Sequence, residues 1–175
     1  MLLAEKPMKI KIVLLYIRFS GEKYIMAQSI KSFLWKTILN FYPVIRRTGA
    51  SITYLSDDWR EIRIKLPFNR KTKNGFGTTY GGTIFSAIDA FHGIMLHQIL
   101  EGRFVVLDKE ANIRFIRPGQ STLYANIVFD DEEIKALHKN LSMNRKIDRL
   151  YNVDWKDKDG IIYSSIEKTV HVRHK

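Results

Sequence analysis

The chain has 175 residues, with 29 Lys and Arg against 18 Asp and Glu, a formal charge of +11 at pH 7. That length suits one domain with one substantial core, and the charge points to an anionic partner: a phosphorylated substrate or cofactor, nucleic acid, or an acidic membrane surface. Cysteine is absent from the sequence, which excludes disulfides, thiolate metal sites and a thiol nucleophile and fits a reducing, cytoplasmic compartment.

The apolar run Ile12 to Ile17 is too short for a membrane span or a signal-peptide core and leads straight into Arg18, so no transmembrane segment is expected. Residues 1–25 have no clear place in the domain that follows. Either the domain begins at Met26, where a helix opens, or these residues form an extension that adds an edge strand or an arm. Residues 26–175 read as a single domain.

Ile30, Phe33, Leu34, Ile38 and Phe41 recur at helical spacing, with Ser29 as a cap and Pro43 at the far end, which predicts an amphipathic helix lying on other structure. Ser51 to Leu55 and Glu61 to Leu66 predict a hairpin turned by Ser56-Asp57-Asp58. After a basic loop (Asn69 to Gly75) comes Phe76-Gly77-Thr78-Thr79-Tyr80-Gly81-Gly82, and then Thr83 to Leu100, where eleven of eighteen residues are apolar. This second segment predicts a helix wrapped by other elements. Extended patterns follow at Arg103 to Arg117, Ser121 to Phe129, Arg149 to Lys156 and Ile161 to Arg173, the last two joined by a turn at Asp157 to Gly160. Asp131 to Leu141 predicts a short helix inserted between strands. The fold class expected is α+β, with an antiparallel sheet curved around the apolar helix.

Asp89 is the only formally charged residue in that helix, and a carboxylate in apolar surroundings must find partners or change its protonation behaviour, which makes it a candidate for chemistry. Asn74-x-x-Gly77-Thr78-x-Tyr80-Gly81-Gly82, with Asp89 nine positions after Tyr80, resembles the signature of hot-dog-fold acyl-CoA thioesterases of the phenylacetate-pathway type, in which His-Gly-Gly precedes an Asp. Ala111 to Gly119 resembles the family's long third strand and its ending. The resemblance covers about residues 45–173 and is nearest to a little-characterised branch in which Tyr or Phe precedes the two glycines. It implies the hot-dog fold, an Asp89 catalytic carboxylate, Asn74 beside the thioester, and Asp108 where relatives often carry a small hydroxyl residue. Tyr80 replaces an imidazole, and His92, one helical turn beyond Asp89, is a candidate to stand in for it.

Unpaired N–H groups at a helix N-terminus carry partial positive charge, so Gly81 and Gly82 are placed to polarise a thioester carbonyl, while Asp89 either activates water or attacks the carbonyl itself. Gly82 and Asp89 lie seven residues apart, about 10.5 Å along a helix, too far to share one carbonyl. Two copies with antiparallel helices would complete two sites, so a homodimer or a dimer of dimers is expected. As a second carboxylate, Asp108 either repels Asp89 or is neutralised by Lys109. Arg114 and Arg117 are candidates for the phosphates of coenzyme A, with the Arg70 to Lys73 loop as a further candidate.

The substrate expected is an acyl-CoA or acyl-carrier thioester, with coenzyme A as part of the substrate and no separate cofactor. The alternative is a non-catalytic acyl-CoA or lipid-binding module. No metal is expected, because no metal-binding motif occurs and His92 and His97 do not share a helix face. Basic residues spread without an aromatic-basic motif argue against nucleic acid.

Overall fold

The computed structural model describes the backbone of Ile12–Phe19 and of residues 22–175, and side chains from Gln28 onward. β1 (Ile12–Phe19) and β2 (Glu22–Ser29) pair with each other in an antiparallel ribbon that is separate from the main sheet. Residues 12–19 and 22–25 of the expected extension thus lie in this ribbon, whereas residues 1–11, 20 and 21 lie outside the described residues. Met26 falls in β2, and the helix opens four residues later, at Ile30, behind the Ser29 cap, whose hydroxyl accepts from Ser32 N–H at 3.2 Å.

α1 (Ile30–Phe41) and α2 (Pro43–Arg47) lead into β3 (Ser51–Leu55) and β4 (Glu61–Leu66). α3 (Gly81–Asp89) and α4 (Phe91–Ile99) follow, then β5 (Phe104–Phe115), β6 (Leu123–Val128), α5 (Asp131–Met143), β7 (Lys146–Lys156) and β8 (Ile162–His174). The six strands β3 to β8 form one antiparallel sheet in the order β3-β4-β6-β7-β8-β5. Its inner face and the α3–α4 segment make one core: Ile84, Ile88, Phe91 and Met95 from the helices meet Ile62, Ile64, Leu123, Trp155, Ile166 and Val170 from the strands. This is the α+β arrangement that the order of elements implied, and the hot-dog fold that the resemblance implied.

Two features differ from the sequence pattern. The apolar helix is interrupted at Ala90, where the backbone carbonyl of Asp89 accepts from the Lys168 ammonium. In an uninterrupted helix that carbonyl would serve Gly93 N–H, and a side chain entering the ladder is a recognised cause of helix breaks.

The second difference is the orientation of α1. Its buried residues are Ser32, Lys36 and Leu39, while Ile30, Leu34, Ile38 and Phe41 face outward. The reason is the sheet edge beneath it. Strand β3 has a neighbour on one side only, and polar side chains of α1 and of the end of β2 answer its free backbone groups: Asn40 of α1 donates to Ile52 C=O at 3.0 Å and accepts from Ile52 N–H at 2.7 Å, and Gln28 of β2 donates to Leu55 C=O at 3.1 Å. Lys36 donates to Gln28 Oε1 at 2.9 Å, and burial pushes its ammonium pKa down. Satisfying a sheet edge takes priority over burying the apolar stripe, since an unmet backbone group is costly.

Candidate active site

Asp89 closes α3, and its carboxylate is not buried in apolar surroundings: 48% of the side chain is exposed. Its partner is Lys168, whose side chain has 0% exposure and whose Nζ lies 3.0 Å from Asp89 Oδ1 and 2.9 Å from Asp108 Oδ2. One buried ammonium thus bridges two half-exposed carboxylates and also donates to the Asp89 carbonyl. Asp89 Oδ2 has no protein partner among the described residues. A fully buried ammonium needs partners on all sides, and three acceptors supply them. The expected neutralisation of Asp108 by Lys109 does not occur: a bulge in β5 between Asp108 and Glu110 accompanies the turn of Lys109 to Asp148, at 2.5 Å.

Sequence reasoning missed Lys168, though the signal was present. Along β8, Ser164, Ile166, Val170 and Val172 are buried at every second position, and Lys168 stands in that register. A lysine on the inner face of a strand requires an acid opposite it.

The N-terminus of α3 is open to a ligand. Tyr80 provides no side-chain cap, and the first helical bond runs from Ile84 N–H to Tyr80 C=O, which leaves the N–H groups of Gly81, Gly82 and Thr83 outside the ladder. Two rings close on the glycines: a Cβ at Gly81 would lie 2.9 Å from the Phe115 ring and one at Gly82 2.5 Å from the Tyr80 ring, so either substitution would displace an exposed ring. These two exposed aromatic rings flank the helix end. Below it, buried Trp155 donates to Ile84 C=O at 2.9 Å and fixes the helix to the sheet.

Two clefts meet at this end. One of about 460 Å3 is lined by Thr79, Gly81, Ile84, Phe115, Arg117 and Pro118 among others, and one of about 390 Å3 by Val44, Arg47, Tyr80, Gly82, Thr83 and Ser86 among others. Arg114 belongs to a third, of about 600 Å3, where Asp154 and Glu167 offset its charge. Arg114 and Arg117 therefore do not form a single group. Asp89 lines none of these clefts, so one chain does not bring it together with Gly81 and Gly82.

Asn74 is engaged in its own loop: Oδ1 accepts from Phe76 and Thr78 N–H at 3.0 and 3.1 Å, and Nδ2 donates to Thr78 Oγ1 at 2.8 Å. His92 is buried, stacked on Tyr151 with centroids 5.4 Å apart and set edge-on to Phe129. Burial, with the nearby Lys168 charge, pushes its pKa down to about 4, so the ring is neutral at pH 7 and its Nδ1 has no hydrogen-bond partner. Neighbouring Tyr151 donates to Glu133 at 2.7 Å, and burial pushes its phenol pKa up. Among the described residues no cluster of His, Asp and Glu fit to hold a metal ion occurs.

With this geometry in view, the chain can be placed among known proteins. A family model described as Domain of unknown function (DUF4442) matches residues 31–172. The chain belongs to that family. The DUF4442 match runs from α1 into β8 and so includes Asp89, Asp108 and Lys168. Comparison with curated proteins finds no match. Among solved structures, a Pseudomonas aeruginosa protein of unknown function described as a probable thioesterase superposes with a TM-score of 0.72 at 20% identity, covering 82% of this chain and 95% of that one. A thioesterase from Haemophilus influenzae gives a TM-score of 0.61 at 14% identity over 84% and 93%. A mutant thioesterase from Staphylococcus aureus gives 0.55 at 15% identity over 74% and 97%. Similarity at these identities shows that this DUF4442 chain shares the hot-dog fold of thioesterases.

Proposed function

We propose that the protein hydrolyses an acyl-CoA or acyl-carrier thioester at a site completed by two copies of the chain. The observation that carries this reading is the Asp89–Lys168–Asp108 bridge, which holds a carboxylate at the helix surface with one oxygen engaged and the other free. In hydrolysis, the oxyanion formed from the carbonyl would face the unpaired N–H groups of Gly81 and Gly82. Asp89 would take the proton of the attacking water, the C–S bond then breaking to release the thiolate, or would attack the carbonyl itself and expel the thiolate to form an anhydride that water then opens. Thioesterases among the proteins of like fold support the reaction class.

Strand β5 supports the pairing. It forms an edge of the sheet, twelve residues long and mostly exposed, and its outer N–H and C=O groups offer a template for a second β5. Such an isologous pair would bring the α3 end of one protomer towards Asp89 of its partner. Arg117, beside Gly81 and free of neighbouring acids in its cleft, is better placed for the phosphates of coenzyme A than Arg114.

The test is a panel of short, long and aromatic acyl thioesters with a thiol-trapping readout on the parent and on Asp89→Asn. Turnover should fall by a factor of about 10² to 10⁴ with folding intact. Equal turnover in the two proteins would make Asp89 structural. A monodisperse active monomer by light scattering would overturn the shared site, and a parent that binds these thioesters without turning them over would be an acyl-binding module.

A further inference from the structure

The outward stripe of α1 continues into α2 as one exposed surface: Leu34 is 53% exposed, Ile38 54% and Phe41 66%, and Tyr42 and Val44 extend it. Beside it stand exposed Lys31, Arg46 and Arg47. No acidic residue occurs within α1 or α2, and the exposed Asp57, which accepts from the Ser29 hydroxyl, stands at the capped end of α1, so the charge of the two helices themselves comes from bases. Aliphatic side chains bordered by Tyr, Trp and bases make the pattern of a helix that lies in the boundary of an anionic bilayer, with the bases at the headgroups and the aromatic rings at the interface. None of the described helices is long and apolar enough to cross a membrane.

We propose that α1 and α2 dock the protein flat on an anionic lipid surface. The inference goes beyond thioester hydrolysis and does not require it. Its geometry has a consequence for access: Val44 and Arg47, at the end of the docking surface, also line the cleft that holds Tyr80 and Gly82. Docking would place the mouth of that cleft at the headgroup level, where an amphiphile with an acyl tail and a charged head resides.

The experiment is co-sedimentation of the full chain with phosphatidylcholine vesicles and with vesicles that also contain phosphatidylglycerol. Binding is expected to the anionic vesicles and to weaken as salt is raised. Leu34→Ser/Ile38→Ser/Phe41→Ser changes only outward side chains and should lower binding at least about a hundredfold, since three half-inserted apolar groups are removed. Lys31→Ser/Arg46→Ser should lower it about fivefold per charge on anionic vesicles at low salt and leave neutral vesicles unaffected. Failure of the parent to bind anionic vesicles, or equal binding by the triple Ser variant, would overturn the proposal. So would a parent whose oligomer dissociates in the triple Ser variant while vesicle binding stays absent, because the stripe would then be covered by a second copy.

Discussion

Replacing Lys168 by Met is the most informative perturbation of the bridge. Met keeps an unbranched stem in the core and deletes the ammonium, with its bonds to Asp89 Oδ1, Asp108 Oδ2 and the Asp89 carbonyl. Breaking a buried pair by removing one partner costs about 3–5 kcal/mol. Here the stranded carboxylates are 48% and 33% exposed and regain water, and the desolvation of the lysine itself disappears. Both effects reduce the loss, to about 1–3 kcal/mol. Asp89 would then lose its anchor and face Asp108 without an intervening cation, so turnover should fall about 10- to 100-fold through misplacement while KM changes little. Adding Asp108→Asn removes the remaining repulsion and should recover part of the lost stability. Urea unfolding and thiol-trapping rates, measured on the same preparations, give both quantities. If Lys168→Met matches the parent in unfolding midpoint and in turnover, the bridge neither holds Asp89 nor stabilises the fold.

Three further outcomes are expected. Gly82→Ala places a Cβ 2.5 Å from the exposed Tyr80 ring, which can swing aside; stability should stay within about 1 kcal/mol of the parent while kcat/KM falls about tenfold or more, and unchanged kcat/KM would remove the helix end from the site. His92 has a folded pKa of about 4 against an ordinary value of 6.5, so the unfolded chain binds more protons between these limits and stability is lost as pH falls through that window. The loss should approach about 3 kcal/mol near pH 4, and His92→Phe should flatten the difference between urea midpoints at pH 7.5 and pH 5; an unchanged slope would assign the effect to other groups. Arg117→Ala should raise KM for acyl-CoA more than Arg114→Ala does, with added salt acting in the same direction on the parent. The reverse ranking would move the phosphate site to the cleft beside Asp154 and Glu167.

Period-two and helical spacing located β3, β4, β6, β7 and β8 and the helices α1 and α5 to within a few residues, because each presents one face inward and the other to solvent, whereas β5, mostly exposed, was read from its extended pattern alone. What spacing leaves open is which face is inward. In α1 the apolar side was the natural choice, and the decision went the other way because Asn40 and Gln28 meet the backbone of β3, a long-range requirement that no local pattern records. The break at Ala90 escaped for the same reason, since its cause is a lysine 79 residues beyond Asp89. Asp89 was legible as a lone carboxylate and Asp108 through the family resemblance; their shared cation was not, because a basic residue in a β-strand is normally read as solvent-facing. Asn74 and His92 show the converse: each carries polar chemistry in the sequence, and the fold places one in a turn of its own and the other between aromatic rings.

The clamp that Asn40 places on Ile52 also decides how many ways the sheet can grow. A sheet with two bare margins behaves like a bifunctional monomer and can add copies without end, whereas one with a single bare margin is monofunctional, and the first addition consumes its only reactive side. With β3 met by Asn40 and Gln28 and β5 bare, the proposed joining through β5 would end at two chains. Two side-chain amides, Asn40 and Gln28, would thus act as chain stoppers for the proposed pair, and Asn40→Leu would free the Ile52 end of that margin for further addition.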